Sequence, residues 1–274
     1  ACIMEAQRKY FPAGMRVYYG RRRFLLIAQS YRMNRIDSPY RRLSATLLLA
    51  CGEPFELDAG SGASVVATVA LIAPGVPRRR TVALDSNLFI FDFPIGTPDC
   101  ALLQSEFSDG TEVKLLDPGL FADLQSRLWR AAEGVVPCSE VAELFSLVVR
   151  AISGKEPASI SVDWRIERTL HLVDQLLLNQ FDVPELAAQV NLSPSRLRCL
   201  FKQEMGCSLG YYARWVALWR AVELWKQGKS ITDMAHEAGF YDLAHLDRVY
   251  NEILGMSPTA LVESDVVTPI RCWS

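Results

Sequence analysis

Residues 236–245, HEAGFYDLAH, contain two of the three histidines of the chain, His236 and His245, with a glutamate and Asp242 between them. Imidazoles and carboxylates are ligands that proteins offer to Zn²⁺ and related ions, so this stretch could bind a metal. The same residues could instead form the turn between two helices, because Gly239 permits the positive φ that a sharp turn needs. The surrounding elements decide between these interpretations.

Those elements occur twice in the C-terminal part of the chain. LAAQVNLSPSRLRCLFKQEMGCS aligns with MAHEAGFYDLAHLDRVYNEILGMS, and each copy reads as a short helix, a tight turn and a second helix. Asn191 occupies the first turn, and Ser193 caps the helix after it; Gly239 and Asp242 take these places in the second copy. The pattern predicts two helix-turn-helix motifs, joined by one long helix over residues 209–227.

This repeat argues against a metal site. His236 would lie on the supporting helix of the second copy and His245 on the helix after the turn, where their side chains need not meet. A third ligand at a suitable spacing is missing from the sequence around them. We therefore expect no metal and no other cofactor.

The N-terminal part has a different residue pattern. From residue 16 to residue 117, short β-branched and aromatic segments alternate with glycine, proline and aspartate breakers, which predicts a small β-sandwich or barrel. Asp117 and Pro118 then begin a helix. A second helix over residues 139–152 has an apolar stripe, which either packs on its own barrel or forms the seam of a dimer.

The predicted fold class is α+β, with an N-terminal β-sandwich or barrel, two dimerisation helices and a C-terminal all-α domain. The expected organisation is a β-rich sensory domain at 1–117, a helical hairpin at 118–153, a linker at 154–162, the tandem helix-turn-helix domain at 163–261 and a loose tail at 262–274.

Bulk properties favour a globular cytoplasmic protein. The seven cysteines include no CxxC pair, which favours reduced thiols over a disulfide framework. We find neither a signal pattern nor an apolar run of the roughly 20 residues that a membrane helix needs. Ala1 is not an ordinary start, and Met4 or Met15 are the candidate true starts.

Enzymatic chemistry is not expected. A metal-dependent cupin enzyme needs a histidine cluster on its barrel, whereas His171, His236 and His245 all lie outside the β-rich half. Hydrolase, phosphate-loop and dinucleotide motifs are also absent from the sequence. Arginines at 21–23, 41–42 and 78–80 suggest an anionic ligand, although alternation along strands leaves most of them solvated.

Residues 164–260 resemble the DNA-binding domain of the AraC/XylS transcription regulators. The resemblance rests on Ala235, on Gly239-Phe240 and on the closing Gly255-Met256-Ser257-Pro258. The β-rich half is similar in layout to the cupin-like sensory domain of many such regulators. The resemblance implies a sequence-specific DNA-binding regulator, an activator, controlled by a small-molecule effector through its N-terminal domain.

The resemblance also implies which residues contact DNA. Ser195, Arg198 and Cys199 match the positions at which this family makes base contacts, and a guanine is the natural partner of Arg198. Arg196 and Lys202 suit phosphates. The second copy offers His245 and Arg248.

The second copy departs from the family pattern. Leu246 replaces an aromatic residue, Asn251 replaces a lysine, and Asp242, Asp247 and Glu252 would repel phosphates. From residue 155 onward the chain has 12 basic and 15 acidic residues, and 12 − 15 = −3. We therefore expect modest affinity dominated by the first copy, with dimerisation supplying the remainder. The alternative for the second copy is that it faces RNA polymerase or only the DNA backbone.

The expected partners are promoter DNA, RNA polymerase and a second copy of the chain bound through residues 118–153, with no membrane. Two alternatives stay open. The N-terminal domain could bind a protein rather than a metabolite. More remotely, the chain could be a DNA-alkyl acceptor enzyme that uses Cys199, which would require a thiol activated by nearby cations.

Overall fold

The computed structural model describes residues 14–20, 23–95, 97–155, 163–259 and 267–272. The chain divides into two compact units, one made of 1–158 with 263–274 and the other of 159–262. Within the described ranges, no helix is long and apolar enough to cross a membrane. The α+β fold class and its two-domain organisation are confirmed.

The first unit is built on twelve described strands. They are β1 (Met15–Gly20), β2 (Arg23–Ala28), β3 (Tyr31–Asn34), β4 (Tyr40–Arg41), β5 (Ser44–Gly52), β6 (Phe55–Ala59), β7 (Val65–Ala67), β8 (Val69–Ile72), β9 (Pro77–Ala83), β10 (Ser86–Pro94), β11 (Val113–Leu115) and β12 (Val267–Arg271).

These strands form two sheets. Seven strands lie in the order β11-β8-β5-β10-β2-β1-β12, and a smaller sheet has the order β3-β9-β6-β7, with β4 also paired to β9. All pairs are antiparallel except β1 with β12, which run parallel. A guanidinium nitrogen of Arg78 on β9 lies 2.7 Å from Oγ1 of Thr46 on β5, so these side chains meet between the sheets.

Helices cover the other face of the large sheet. They are α1 (Pro98–Gln104), α2 (Gln125–Glu133) and α3 (Cys138–Ser153), with 3-10 turns at Ser105–Phe107 and Pro118–Leu124. Alternate residues of β10, including Phe91, share one core with α3. The ring of Phe145 on α3 stands edge-on to Phe91, with centroids 5.2 Å apart. The helix α1 was not predicted.

The apolar stripe of α3 is buried in this core. Val141, Leu144, Phe145, Val148 and Val149 are each 0% exposed in the single chain. Of the two alternatives for the stripe, packing on its own barrel is therefore the one observed. A dimer through residues 118–153 would have to use other faces of these helices, where the exposed Trp129 and Leu120 lie.

Two expectations about the C-terminal end were wrong. Residues 262–274 were expected to be a loose tail, but Val267–Arg271 form β12 at the edge of the large sheet. The cysteines were expected to be reduced, but Cys138 and Cys272 form a disulfide across 134 residues of sequence. Neither feature has a local pattern, because each depends on residues far apart in the chain.

The second unit is helical. Its helices are α4 (Trp164–Gln175), α5 (Val183–Gln189), α6 (Pro194–Met205), α7 (Leu209–Lys226), α8 (Ile231–Glu237) and α9 (Leu243–Leu254), with a 3-10 turn at Leu178–Gln180. One core joins α4, α5, α6 and the first half of α7. The connector α7 has buried residues on several sides, among them Trp215, Leu218 and Val222, so it forms the centre of the unit.

Candidate nucleic-acid interface

The two copies of the predicted repeat have the same local geometry. The first copy is α5, its turn and α6; the second is α8, its turn and α9. Asn191 has φ 54° and Gly239 has φ 85°, so both turns contain the expected left-handed residue. In the first copy Leu192 N donates to Ala187 O at 2.9 Å, and in the second Phe240 N donates to Ala235 O at 2.8 Å. The tandem helix-turn-helix is confirmed.

The caps predicted for the second helix of each copy are present. Oγ of Ser193 accepts a hydrogen bond from Arg196 N at 3.3 Å, with Pro194 in the first turn of α6. Oδ1 of Asp242 accepts one from His245 N at 2.6 Å at the start of α9. Side-chain caps satisfy backbone donors that have no partner inside a helix, so they determine where α6 and α9 begin.

The first copy presents its candidate contact residues on one exposed face. Leu197, Leu200 and Phe201 of α6 are buried, while five candidates are exposed on the same helix: Ser195, Arg196, Arg198, Cys199 and Lys202. The spacing of buried positions at three and four residues leaves the remaining positions facing solvent. The structure thus brings the five predicted residues of the first copy together on one helix face.

The charge of that face is positive. The helix α6 carries Arg196, Arg198, Lys202 and one carboxylate, Glu204, which gives 3 − 1 = +2. Among the described residues, none of these three cations has a carboxylate within 4 Å. Cationic groups without an internal partner are available to an external anion such as a phosphate.

The second helix of the second copy, α9, has a net negative charge. The helix α9 carries Arg248 against Asp247 and Glu252, so its balance is 1 − 2 = −1. Glu252 is neutralised from outside the helix by Arg214 of α7, at 2.9 Å. Asp247 accepts a hydrogen bond at 3.1 Å from Nδ2 of Asn251, the residue that stands where the family pattern has a lysine. Arg248 is exposed on this helix.

His245 is half-buried at the start of α9. Its Nδ1 accepts a hydrogen bond from Tyr241 N at 3.4 Å, and its ring stands edge-on to Phe240 with centroids 5.4 Å apart. Burial lowers the pKa of His245, and the nearby Arg248 lowers it further. A ring whose Nδ1 is an acceptor carries its proton on Nε2, which leaves that N–H as a donor.

Contacts from α7 and from the 3-10 turn hold the two copies in position. The guanidinium of Arg220 on α7 donates to Asp174 O at 2.9 Å and to Leu176 O, which caps the C-terminal end of α4. The turn of the second copy packs against Leu178, whose N–H donates to Ala238 O at 3.3 Å. These contacts join residues far apart in sequence, and no local pattern indicated them.

The stretch that suggested a metal belongs to this second copy. His236 lies exposed on α8, while the half-buried His245 lies on α9. Across the described parts of the chain, no three histidine, cysteine, aspartate or glutamate side chains are grouped so as to hold a metal ion. Asp242 caps α9, and Gly239 forms the turn before it.

The arginine clusters of the first unit separate into buried and surface groups. Arg21 and Arg22 lie outside the described residues, and Arg79 forms a partly buried pair with Asp58 at 2.8 Å. Arg42 and Arg78 are instead 4% and 3% exposed. Sequence reasoning missed their burial, since alternation along a strand does not show which face is closed.

A buried polar cluster surrounds these two arginines. Oδ1 of Asp92 lies 3.4 Å from Arg42, and it accepts hydrogen bonds from Ser44 at 2.7 Å and from Thr46 at 2.8 Å. Arg78 reaches the same cluster through Thr46, and burial lowers the pKa of its guanidinium. One buried carboxylate therefore faces two buried guanidinium groups.

A groove of about 380 Å³ lies elsewhere in the first unit. Its walls come from β6, β7 and β11 and include the apolar Leu57, Val65 and Val113. Oε2 of Glu112, at its rim, accepts hydrogen bonds from Ser61 N at 2.5 Å and from Ser61 Oγ at 2.7 Å. A volume of this size is in the range of small-ligand sites.

Comparison with known proteins agrees with this geometry. Residues 186–264 match a family described as helix-turn-helix domain. The chain is 30% identical over 152 residues to the arabinose operon regulatory protein of Escherichia coli strain K12, covering 51% of this chain and 50% of that protein. It is 33% identical over 95 residues to the HTH-type transcriptional regulator GbdR of Pseudomonas aeruginosa strain UCBPP-PA14, covering 34% of this chain and 26% of GbdR. The matches thus span half or less of these relatives.

Solved structures share the two-domain fold. ToxT from Vibrio cholerae O395 superimposes with a TM-score of 0.52 at 13% identity, covering 87% of this chain and 97% of that one. An apo variant of ToxT from Vibrio cholerae strain SCE256 gives 0.53 at 10% identity, with coverages of 87% and 97%. At such identities the likeness concerns the fold. The C-terminal unit of this chain is a tandem helix-turn-helix domain, as the sequence repeat predicted, and the helix-turn-helix family matches it over residues 186–264.

Proposed function

We propose that the chain is a sequence-specific DNA-binding transcription regulator, an activator, that reads two adjacent major-groove segments. The observation that carries this proposal is the exposed face of α6, on which Arg196, Arg198 and Lys202 have no ion-pair partner among the described residues. Two copies joined by one rigid helix suit successive major-groove segments, which lie roughly 34 Å apart on one face of B-DNA.

The two copies have different roles in this proposal. In the first, Arg198 binds a guanine through two hydrogen bonds with Ser195 and Cys199 beside it, while Arg196 and Lys202 bind phosphates. The balance of +2 on α6 against −1 on α9 supports dominance of the first copy.

In the second copy, the exposed Arg248 and the donor Nε2 of His245 are the groups left for DNA. RNA polymerase is the partner proposed for the remainder of this surface.

Arg198→Ala tests the assignment. A duplex selected from a random-sequence library with the wild-type chain serves as the probe, and fluorescence anisotropy measures its affinity. Loss of a bidentate base contact, worth about 1–3 kcal/mol, lowers affinity by roughly fivefold to a hundredfold. Arg168→Ala, at an exposed arginine on α4, is the matched control and leaves affinity unchanged. Equal affinities for the two variants would show that α6 does not read bases.

We further propose that a small-molecule effector controls the protein through its first unit. The groove beside Leu57 and Val113 could bind an apolar ligand with a hydrogen-bond donor directed at Glu112. The buried Arg42 and Arg78 do not line this groove. Thermal-shift screening of the full chain against carboxylates, phosphates and amines tests this. Stabilisation by none of them would favour the alternative, a protein partner of the first unit.

Dimerisation and a cytoplasmic location complete the proposal. Because the stripe of α3 is buried, the homodimer would use the outer surface of residues 118–153, where Leu120, Trp129 and Val135 are 45%, 43% and 67% exposed. Sedimentation of the wild-type chain and of Trp129→Glu tests this surface. A variant that dimerises as strongly as the wild type would place the interface elsewhere.

A further inference from the structure

Residues 267–272, here called the C-terminal strap, are held to the large sheet by the ladder with β1, by a hydrogen bond from Cys272 N to Tyr19 O at 2.9 Å, and by packing of the partly buried Ile270 and Cys272 on the core. The strap comprises β12 and Cys272, and among the described strands β12 pairs with β1 alone. Of its five residues only Val267 is buried, at 7% exposed. Pro269, in the middle of the strand, has no N–H to donate to the ladder. A short edge strand with these properties is weakly held.

The covalent bond between Cys138 and Cys272 holds the C-terminal end of the strap. Cys138 is the first residue of α3, and Cys272 directly follows β12. Both cysteines are partly accessible to solvent, and their neighbours Pro137 and Arg271 are exposed. A reductant therefore reaches the bond from the edge of the sheet without entering the core.

The start of α3 does not depend on this bond. Val136 N donates to the hydroxyl of Tyr18 at 3.1 Å, and the Arg16 guanidinium donates to Ala131 O at 3.0 Å. Arg130 also pairs with Glu140 across the turn between α2 and α3. These contacts to β1 and between the helices involve neither cysteine, so we expect reduction to free the strap and to leave the remainder of the first unit folded.

In the sequence, the strap follows the helical unit. The chain leaves the first unit after α3, runs through residues 163–259, and returns to the first unit at Val267. The Cys138–Cys272 bond therefore closes a covalent ring that contains the whole helical unit, and it fixes a second tether to the first unit. Release of the strap leaves one covalent connection between the two units instead of two, which enlarges the set of conformations open to the chain.

We propose that Cys138–Cys272 is a thiol–disulfide exchange site. The oxidised form connects the helical unit to the first unit at both ends of the helical unit, and the reduced form connects it at one end. A dithiol reductant supplies the electrons: its thiolate attacks one sulfur and forms a mixed disulfide, and its second thiol resolves that intermediate. Two electrons and two protons pass to Cys138 and Cys272, which become thiols, and the reductant leaves as a disulfide. The reaction runs in reverse with an oxidised dithiol.

The consequence for DNA rests on the function proposed above. A DNA-bound dimer must place two helical units on one duplex, and a second tether removes orientations from each of them. Reduction therefore increases the fraction of chains competent to bind, and apparent affinity increases in proportion.

Hydrogen exchange of the full-length chain tests the switch. With dithiothreitol as the dithiol, we expect amides of residues 267–272 to exchange at least tenfold faster, while those of β5 and β10 keep their rates. Cys272→Ser should match the reduced wild type and be insensitive to dithiothreitol. Cys199→Ser, at an exposed cysteine outside the bond, should respond as the wild type does. Unchanged exchange in the strap on reduction would overturn the proposal.

Binding to the selected duplex provides the second measurement. We expect reduction, or Cys272→Ser, to tighten the apparent Kd by at least threefold, and Cys207→Ser, at a free cysteine outside both the bond and the proposed DNA-binding face, to leave the redox response intact. Equal Kd values for oxidised and reduced protein would overturn the regulatory role. If neither form binds any duplex, the proposed DNA function fails, whereas the exchange rates and the radius of gyration of the two forms still decide whether the bond restrains the helical unit.

Discussion

Gly239 in the turn of the second copy lies directly against Leu178 of the 3-10 turn. A Cβ at Gly239 would stand 2.5 Å from Leu178 N, which already donates to Ala238 O at 3.3 Å. The residue also has φ 85°, in the left-handed region. Glycine is therefore needed at this position both for the turn and for the contact that joins the second copy to the end of α4.

We expect Gly239→Ala to lower the free energy of unfolding of the helical unit by about 3 kcal/mol, from the left-handed backbone and the clash together. Asn191→Ala is the matched control, since Asn191 has φ 54° in the equivalent turn. It should cost only about 1 kcal/mol. Urea unfolding followed by circular dichroism measures both. Equal losses would mean that the contact with Leu178 contributes nothing.

Tyr250 in α9 is buried, and among the described residues its hydroxyl has no hydrogen-bond partner. Burial raises its pKa, so the side chain stays neutral. The equivalent position in the first copy is Phe201, which is also buried. We expect Tyr250→Phe to leave the free energy of unfolding unchanged or to raise it by up to about 1 kcal/mol. The reverse change, Phe201→Tyr, should cost about 1–3 kcal/mol. A clear loss of stability in Tyr250→Phe would reveal a partner for the hydroxyl.

Lys202 is predicted to contact a phosphate. Neutralising one phosphate releases about one counterion, so Lys202→Ala should reduce the slope of log K against log salt concentration by about 1 and weaken all duplexes alike. Lys226→Ala is the control, because Lys226 lies at the end of α7, 3.7 Å from Glu223. Binding measured from about 50 to about 300 mM salt provides the slopes. Identical slopes for the two variants would remove Lys202 from the interface.

His245 gives the helical unit a pH dependence. Its pKa is lowered from 6.5 by burial and by Arg248, so near that pH the unfolded chain binds more protons than the folded one. Its stabilising contribution is therefore complete above pH 6.5 and is lost as pH falls below that value. We expect the wild type to lose more free energy of unfolding than His245→Gln between about pH 7.5 and about pH 5.5. Urea titrations at the two pH values test this, and parallel losses would contradict it.

The sequence by itself determined the helical unit. Cap residues, turn residues and buried positions spaced by three or four are local signals, so Ser193, Asn191 and their equivalents Asp242 and Gly239 indicated two helix-turn-helix copies. The exposed face of α6 followed from the same periodicity, since burial of Leu197 and its neighbours leaves Arg198 outside. Local periodicity is readable because a helix repeats within four residues.

Only the tertiary structure decided which distant residues meet. From the sequence, the stripe on α3 could pack on its own sheet or on a partner. The contact between Phe145 of α3 and Phe91 shows that it packs on its own sheet. Burial of Arg42 with Asp92, and the bond between Cys138 and Cys272, join residues 50 and 134 positions apart. Such pairings depend on how the sheets close, and a single sequence carries no local signal of that closure.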